Sequence, residues 1–178
     1  MNTHPGRKAN ALLRACATAL LCLAGAAAGF AADKPASSIP ADHLVQPAQL
    51  ASLLGNGTTA KPLVLQVGFR KLFDQAHVAG SEYAGPGSSD AGLQLLRERV
   101  AKLPKDTAIV IYCGCCPWSR CPNVAAAWDV LQGLGFTAVS VMYVADNFGA
   151  DWVDKGYPTT TGTGTSGPGT SGPGTSGK

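Results

Sequence analysis

Residues 108–135 read AIVIYCGCCPWSRCPNVAAAWDVLQGLG. Ala108 to Tyr112 is a short apolar run rich in β-branched residues, the pattern of a strand buried on both faces of its sheet. The next nine residues hold four cysteines, Cys113, Cys115, Cys116 and Cys121. Asn123 can cap a helix that runs through Ala125 to Leu134 and stops at Gly135, a residue suited to left-handed backbone. Strand, loop and helix in that order predict an α/β unit with its cysteines beyond the carboxyl end of a strand, where such sheets gather their ligands.

Working outward, Leu63 to Val67 and Ala138 to Tyr143 read as two further strands, the latter with Ser140 as its only polar residue. Ser89-Asp90 offers a helix cap ahead of Leu93, Leu95, Leu96, Val100 and Leu103, whose spacing makes one apolar face. Arg97, Glu98 and Lys102 fall on the opposite face. The alternation predicts a single α/β domain over residues 40–158, a parallel sheet flanked by helices.

The two ends differ from this core. Arg7, Lys8 and Arg14 precede an uncharged run, Ala15 to Ala28, which is too short for the ~20 apolar residues of a membrane span. Residues 1–31 therefore read as a secretory signal peptide, cut after Ala31 with Gly29 and Ala31 as the small residues before the cut, and the protein is expected to be exported, periplasmic or secreted. Neither Cys16 nor Cys22 suits a lipoprotein site, since Cys22 follows Leu21 and Cys16 lies two positions after Arg14. Residues 159–178 read as a disordered tail, whose last fifteen residues are GTSGP, GTSGP and GTSGK. Of 14 basic residues three belong to the leader, leaving 11 against 11 acidic ones, a neutral balance that argues against a nucleic-acid partner. No membrane partner is expected after cleavage.

Several segments of the core, taken in order, resemble the rhodanese-like (sulfurtransferase) family. They are an apolar strand ending near Arg70, the turn His77-Val78-Ala79-Gly80-Ser81, the strand AIVIY leading into Cys113, Gly135-Phe136 before a strand, and Trp152 with Gly156 and Pro158. The resemblance implies a single rhodanese-like domain whose loop cysteine carries sulfur as a persulfide, without a cofactor. It also implies a small sulfur-containing anion or a thiol acceptor as partner, or a protein thiol. Two departures stand out. Gln66-Val67-Gly68 replaces the family's Asp-x-Arg strand ending, and the stretch from Cys113 to the helix is about five residues longer than usual.

The longer loop leaves the catalytic cysteine open among Cys113, Cys115 and Cys116. Cys113 comes first by its place after the strand, Cys115 matches by its distance to Arg120, and Cys113/Cys116 form a Cys-x-x-Cys pair suited to disulfide exchange. Arg120 is expected to hold an anionic donor. Trp118 shields the sulfur or packs on its own helix, and Cys121 is a resolving or disulfide cysteine, paired with Cys116 or Cys113 in a purely structural reading. All four thiols, Cys113, Cys115, Cys116 and Cys121, could instead bind a soft metal such as Cu(I) or zinc, although their spacing is not that of a zinc ribbon. His77 reads as structural and His43 lies outside any motif. Residues 146–152 read either as a second loop walling the pocket or as a turn with Trp152 in the core.

Overall fold

The computed structural model describes Met1, residues 38–55, residue 57 and residues 60–162. Apart from Met1, the expected leader lies outside those residues, and so do the GTSGP repeats. After a 3-10 turn at Ala41–His43 the elements run β1 (Leu44–Val45), α1 (Pro47–Gly55), β2 (Leu63–Gln66), α2 (Arg70–Gln75), β3 (His77–Val78), β4 (Glu82–Tyr83) and α3 (Asp90–Val100). Then follow β5 (Ile109–Tyr112), α4 (Pro122–Gly133), β6 (Val139–Met142) and β7 (Thr159–Thr160).

Five strands form one parallel sheet in the order β1-β6-β5-β2-β4, with β5 at its centre. Successive side chains of a strand point to opposite faces, and both faces are covered here. Ile109 and Ile111 of β5, with Val139 and Val141 of β6, pack on one side with Leu96 and Val100 of α3 and Val124, Trp128 and Leu131 of α4. Val110, Tyr112 and Met142 pack on the other with Leu50 of α1, Phe148 and Trp152. This double burial is why the strands read as apolar runs rather than alternating ones.

The expected helix over residues 89–103 is α3, and Ser89 caps it by accepting a hydrogen bond from Gly92 N at 3.1 Å. Leu95 departs from the expected apolar face and is 47% exposed, because α3 meets the sheet chiefly through Leu96 and Val100. Helix α4 ends as expected. Gly135 has φ +81°, its N–H reaches Gln132 O and that of Phe136 reaches Leu131 O, the double closure that follows a left-handed residue. Its start differs, because Cys121 is the N-cap residue and makes no side-chain cap bond, Pro122 opens the helix, and Asn123 is buried.

The domain also extends beyond Pro158. Thr159 and Thr160, expected in the tail, pair antiparallel with Val78 and His77, and Gly162 N donates to Asp74 O at 2.7 Å. Among the described residues no helix is long and apolar enough to cross a membrane.

Candidate active site in the four-cysteine loop

The loop after β5 is pinned along its length. Gln66, buried where β2 ends, donates from Nε2 to Cys113 O at 3.3 Å and accepts from Gly68 N at 3.2 Å. Gly114 O accepts from Phe148 N at 3.0 Å, and Trp118 N donates to Ala145 O at 3.1 Å. Gly114 has φ +78°, and a Cβ there would stand 2.7 Å from Cβ of Phe148, so only glycine fits the reversal. That reversal folds Cys115 back onto Cys113.

All four thiols are free, and their sulfurs lie within 4.8 Å of one another. Cys115 is the hub. Its Sγ lies 3.0 Å from that of Cys113 and 3.1 Å from that of Cys116, and the amide of Asn123 donates to Cys115 Sγ at 3.6 Å and to Cys113 Sγ at 3.2 Å. The same Asn123 accepts from Ser88 N at 2.9 Å through Oδ1, tying the residues before α3 to the cysteine loop.

Convergent donors favour a thiolate at the hub. Hydrogen bonds from Cys113, then Cys121, with smaller contributions from Cys116 and Asn123, hold the Cys115 thiol far below its ordinary range despite partial burial. Cys113 moves the opposite way, because its proton is engaged by Cys115 and then Cys121 and its side chain is buried. Burial, then the bond to Cys115, pushes Cys116 up. At Cys121 the bond to Cys113 lowers the value, but the bond to Cys115 and burial outweigh it, and the net shift is upward.

Beside the hub lies a cavity of about 300 Å³, lined among others by Gln66, Tyr112, Cys113, Cys115, Asn147 and Phe148. Among the described residues no lysine or arginine lines it. A second crevice, of about 10 Å³, touches Cys113, Cys116, Trp118 and Cys121 and is too small for a ligand.

The sequence-expected residues divide accordingly. Cys113, Cys115, Cys116 and Cys121 converge. Trp118 packs against Tyr143 with ring centroids 5.1 Å apart, while Arg120 is exposed and lines neither space. Both readings of residues 146–152 hold, since Asn147, Phe148 and Gly149 wall the cavity while Trp152 is fully buried. His77 is structural, stacked on Phe73 and donating from Nδ1 to Phe73 O at 2.7 Å. His43 meets Val139 O and the edge of Trp128.

Tyr112 links the turn at 77–81 to the cysteine loop. Its hydroxyl accepts from Val78 N at 3.0 Å and meets Ser81 Oγ at 3.1 Å, one residue before Cys113. The arrangement of strands and helices is similar to that of solved structures. The rhodanese-like domain of the Alr3790 protein from Anabaena sp. superposes with a TM-score of 0.50 at 21% identity, over 76% of this chain and 92% of that one. The fold is that of a rhodanese-like domain. A crystal structure of the Alr3790 protein gives 0.51 at 24% identity, over 66% of this chain and 92% of that one. The BH2092 protein from Bacillus halodurans gives 0.52 at 19%, over 68% and 77%. No protein-family model matches the sequence, and no curated protein does.

In this rhodanese-like fold the cluster offers two kinds of chemistry. A thiolate ringed by donors can attack sulfur, and four thiol sulfurs this close are a set that could surround one soft metal ion. Asn123 is the site residue that sequence reasoning assigned elsewhere. An asparagine directly after Pro122 and two positions after Cys121, which places it inside the first turn of the helix rather than at its cap, was the available signal.

Proposed function

We propose that the loop accepts and passes on sulfane sulfur, with Cys115 rather than Cys113 as the attacking thiolate. The supporting observation is convergence. The Cys113 and Cys116 sulfurs stand 3.0 and 3.1 Å from that of Cys115, the Asn123 amide donates to it at 3.6 Å, and Cys115 lines the cavity of about 300 Å³. Cys113, favoured by its place after the strand, is only 3% exposed and keeps its proton engaged.

With thiosulfate as donor, the Cys115 thiolate attacks the outer sulfur. A sulfur–sulfur bond forms to Cys115, the bond to the sulfonate sulfur breaks, and sulfite leaves with the electron pair. The persulfide is anionic, and the donors that hold the thiolate serve it too. A thiol then meets the persulfide: attack at the outer sulfur passes it on as sulfane sulfur to a small-molecule or protein acceptor, and attack at the inner sulfur releases it as hydrosulfide. The rhodanese-like fold supports a reaction of the sulfurtransferase type, and the leader-like residues 1–31 support export.

The test is single-turnover sulfite release from the reduced protein and thiosulfate. About one sulfite per chain is expected, reduced more than ~100-fold in Cys115→Ser. Cys113→Ser and Cys116→Ser, whose hydroxyls still donate, should slow by less than about tenfold. Undiminished release from Cys115→Ser would contradict the reading, and so would a metal-loaded protein inert to thiosulfate.

A further inference from the structure

Every sulfhydryl around Cys115 is a potential reductant as well as a hydrogen-bond donor. A site that merely holds a persulfide needs donors of any kind, and backbone or amide N–H groups would serve without consuming the product. Here Cys113, Cys116 and Cys121 surround the attacking sulfur within 4.8 Å. We propose that Cys113 resolves the Cys115 persulfide inside the loop, expelling the sulfane sulfur as hydrosulfide and leaving a Cys113–Cys115 disulfide. This rests on the sulfur-transfer reading above and gives that site a product and a co-reactant.

Geometry selects Cys113. Its Sγ is 3.0 Å from Cys115 Sγ, the inner sulfur of the persulfide, and so about 1 Å outside bonding distance. Gly114 at φ +78° supplies the reversal that brings sulfurs two residues apart into contact. Cys113 is also the more deeply buried of the two, so a sulfane sulfur extending from Cys115 into the cavity leaves Cys113 beside the inner sulfur. Cys116 is comparably close at 3.1 Å, but adjacent cysteines close a disulfide only with backbone distortion.

The step balances. The Cys113 sulfur bonds to Cys115 Sγ and the bond to the outer sulfur breaks. The Cys113 proton passes to the outer sulfur of the persulfide, so that Cys113 attacks as thiolate. Cys113 is oxidised to the disulfide level already held by Cys115, and the outer sulfur is reduced and leaves with the bonding pair as HS⁻. With the loading step, one thiosulfate and two thiols give one sulfite, one hydrosulfide and one disulfide. A second turnover needs an external dithiol, a small molecule or a protein, which is oxidised to its own disulfide while Cys113 and Cys115 return to thiols.

The experiment treats the reduced full chain with thiosulfate and no added thiol, traps hydrosulfide with monobromobimane, quenches with acid, alkylates and digests with trypsin. Cleavage after Lys105, Arg120 and Lys155 isolates Cys113, Cys115 and Cys116 in peptide 106–120 and Cys121 in peptide 121–155, apart from Cys16 and Cys22. The expected result is one hydrosulfide per sulfite and a peptide 106–120 about 2 Da light with only Cys116 alkylated. In Cys113→Ser, hydrosulfide should fall at least tenfold while about 32 Da stays on Cys115. Should that variant fail to fold, the wild-type map decides alone. A persulfide that persists in wild type beside stoichiometric sulfite overturns this inference and leaves sulfur transfer standing, and so does a link between the two peptides. Absence of sulfite from wild type overturns both.

Discussion

At the residue scale the site turns on Asn123, a buried amide that touches two thiols and fixes a neighbouring loop. Its N–H bonds favour the anionic sulfur, so removing them raises the Cys115 pKa. Asn123→Ala is expected to move the midpoint of Cys115 alkylation up by about half a unit to one unit. It should also destabilise the fold by roughly 1–3 kcal/mol, since Ser88 N loses its acceptor. Alkylation rate against pH and urea unfolding measure the two effects, and an unchanged midpoint would remove Asn123 from the thiolate's support. The sequence misled here for a physical reason. Asparagine ahead of an alanine-rich run has the form of a helix cap, but Pro122 already opens the helix and turns Asn123 into its first buried turn. Gln66 was legible only as a departure from the family's pattern, and its bond to Cys113 O required the tertiary fold.

At the element scale the loop between β5 and α4 depends on one left-handed residue. Gly114→Ala meets both a positive φ and Cβ of Phe148 at 2.7 Å, so it should cost about 1–3 kcal/mol and separate Cys113 from Cys115. Thermal denaturation reads the first effect and the yield of the Cys113–Cys115 disulfide the second. Away from the site, Arg99 of α3 forks onto both carboxylate oxygens of edge strand β4 at Glu82, with Nη2 to Oε1 at 2.8 Å. The Arg99 hydrogen bond holds the Glu82 carboxyl below its usual value of 4.5. A depressed carboxyl adds stability above the unfolded-state value and loses it as pH falls through the folded-state value. Both side chains are a third or more exposed, so water screens the pair. Arg99→Met should therefore cost only about 0.5–1 kcal/mol at neutral pH, and less as the pH drops below 4.5, in urea melts across that range. A cost that grew on acidification would contradict the assignment.

At the scale of the molecule, the double-faced sheet was readable because burial on both sides leaves apolar runs at 63–67, 108–112 and 138–143, which the structure trims by a residue or two to β2, β5 and β6. The two-residue strands were not readable. Leu44–Val45, Glu82–Tyr83 and the pair of His77–Val78 with Thr159–Thr160 are too short for a period, and their hydrogen bonds come from partners distant in sequence. Helix α1 escaped for a related reason, since Leu50 is its only fully buried side chain. The four-cysteine cluster was legible as a set because the thiols are neighbours in the chain, yet their ranking was not. Which sulfur is the hub depends on the turn at Gly114 and on Asn123. The proposed export rests on residues 1–31, and under it Edman sequencing of protein recovered outside the cytoplasm should begin at Ala32. Recovery of the intact leader on protein isolated from its native host would contradict export.

The central claim, that Cys115 is the reactive thiolate of this rhodanese-like fold, meets its most direct test in pulsed alkylation. The reduced protein is exposed to iodoacetamide for seconds at about pH 6, where an unperturbed thiol is almost wholly protonated, and modified residues are read by tandem mass spectrometry. Alkylation of Cys115 ahead of Cys113, Cys116 and Cys121 is the predicted result. Faster modification of Cys113, or equal rates at all four, would contradict it.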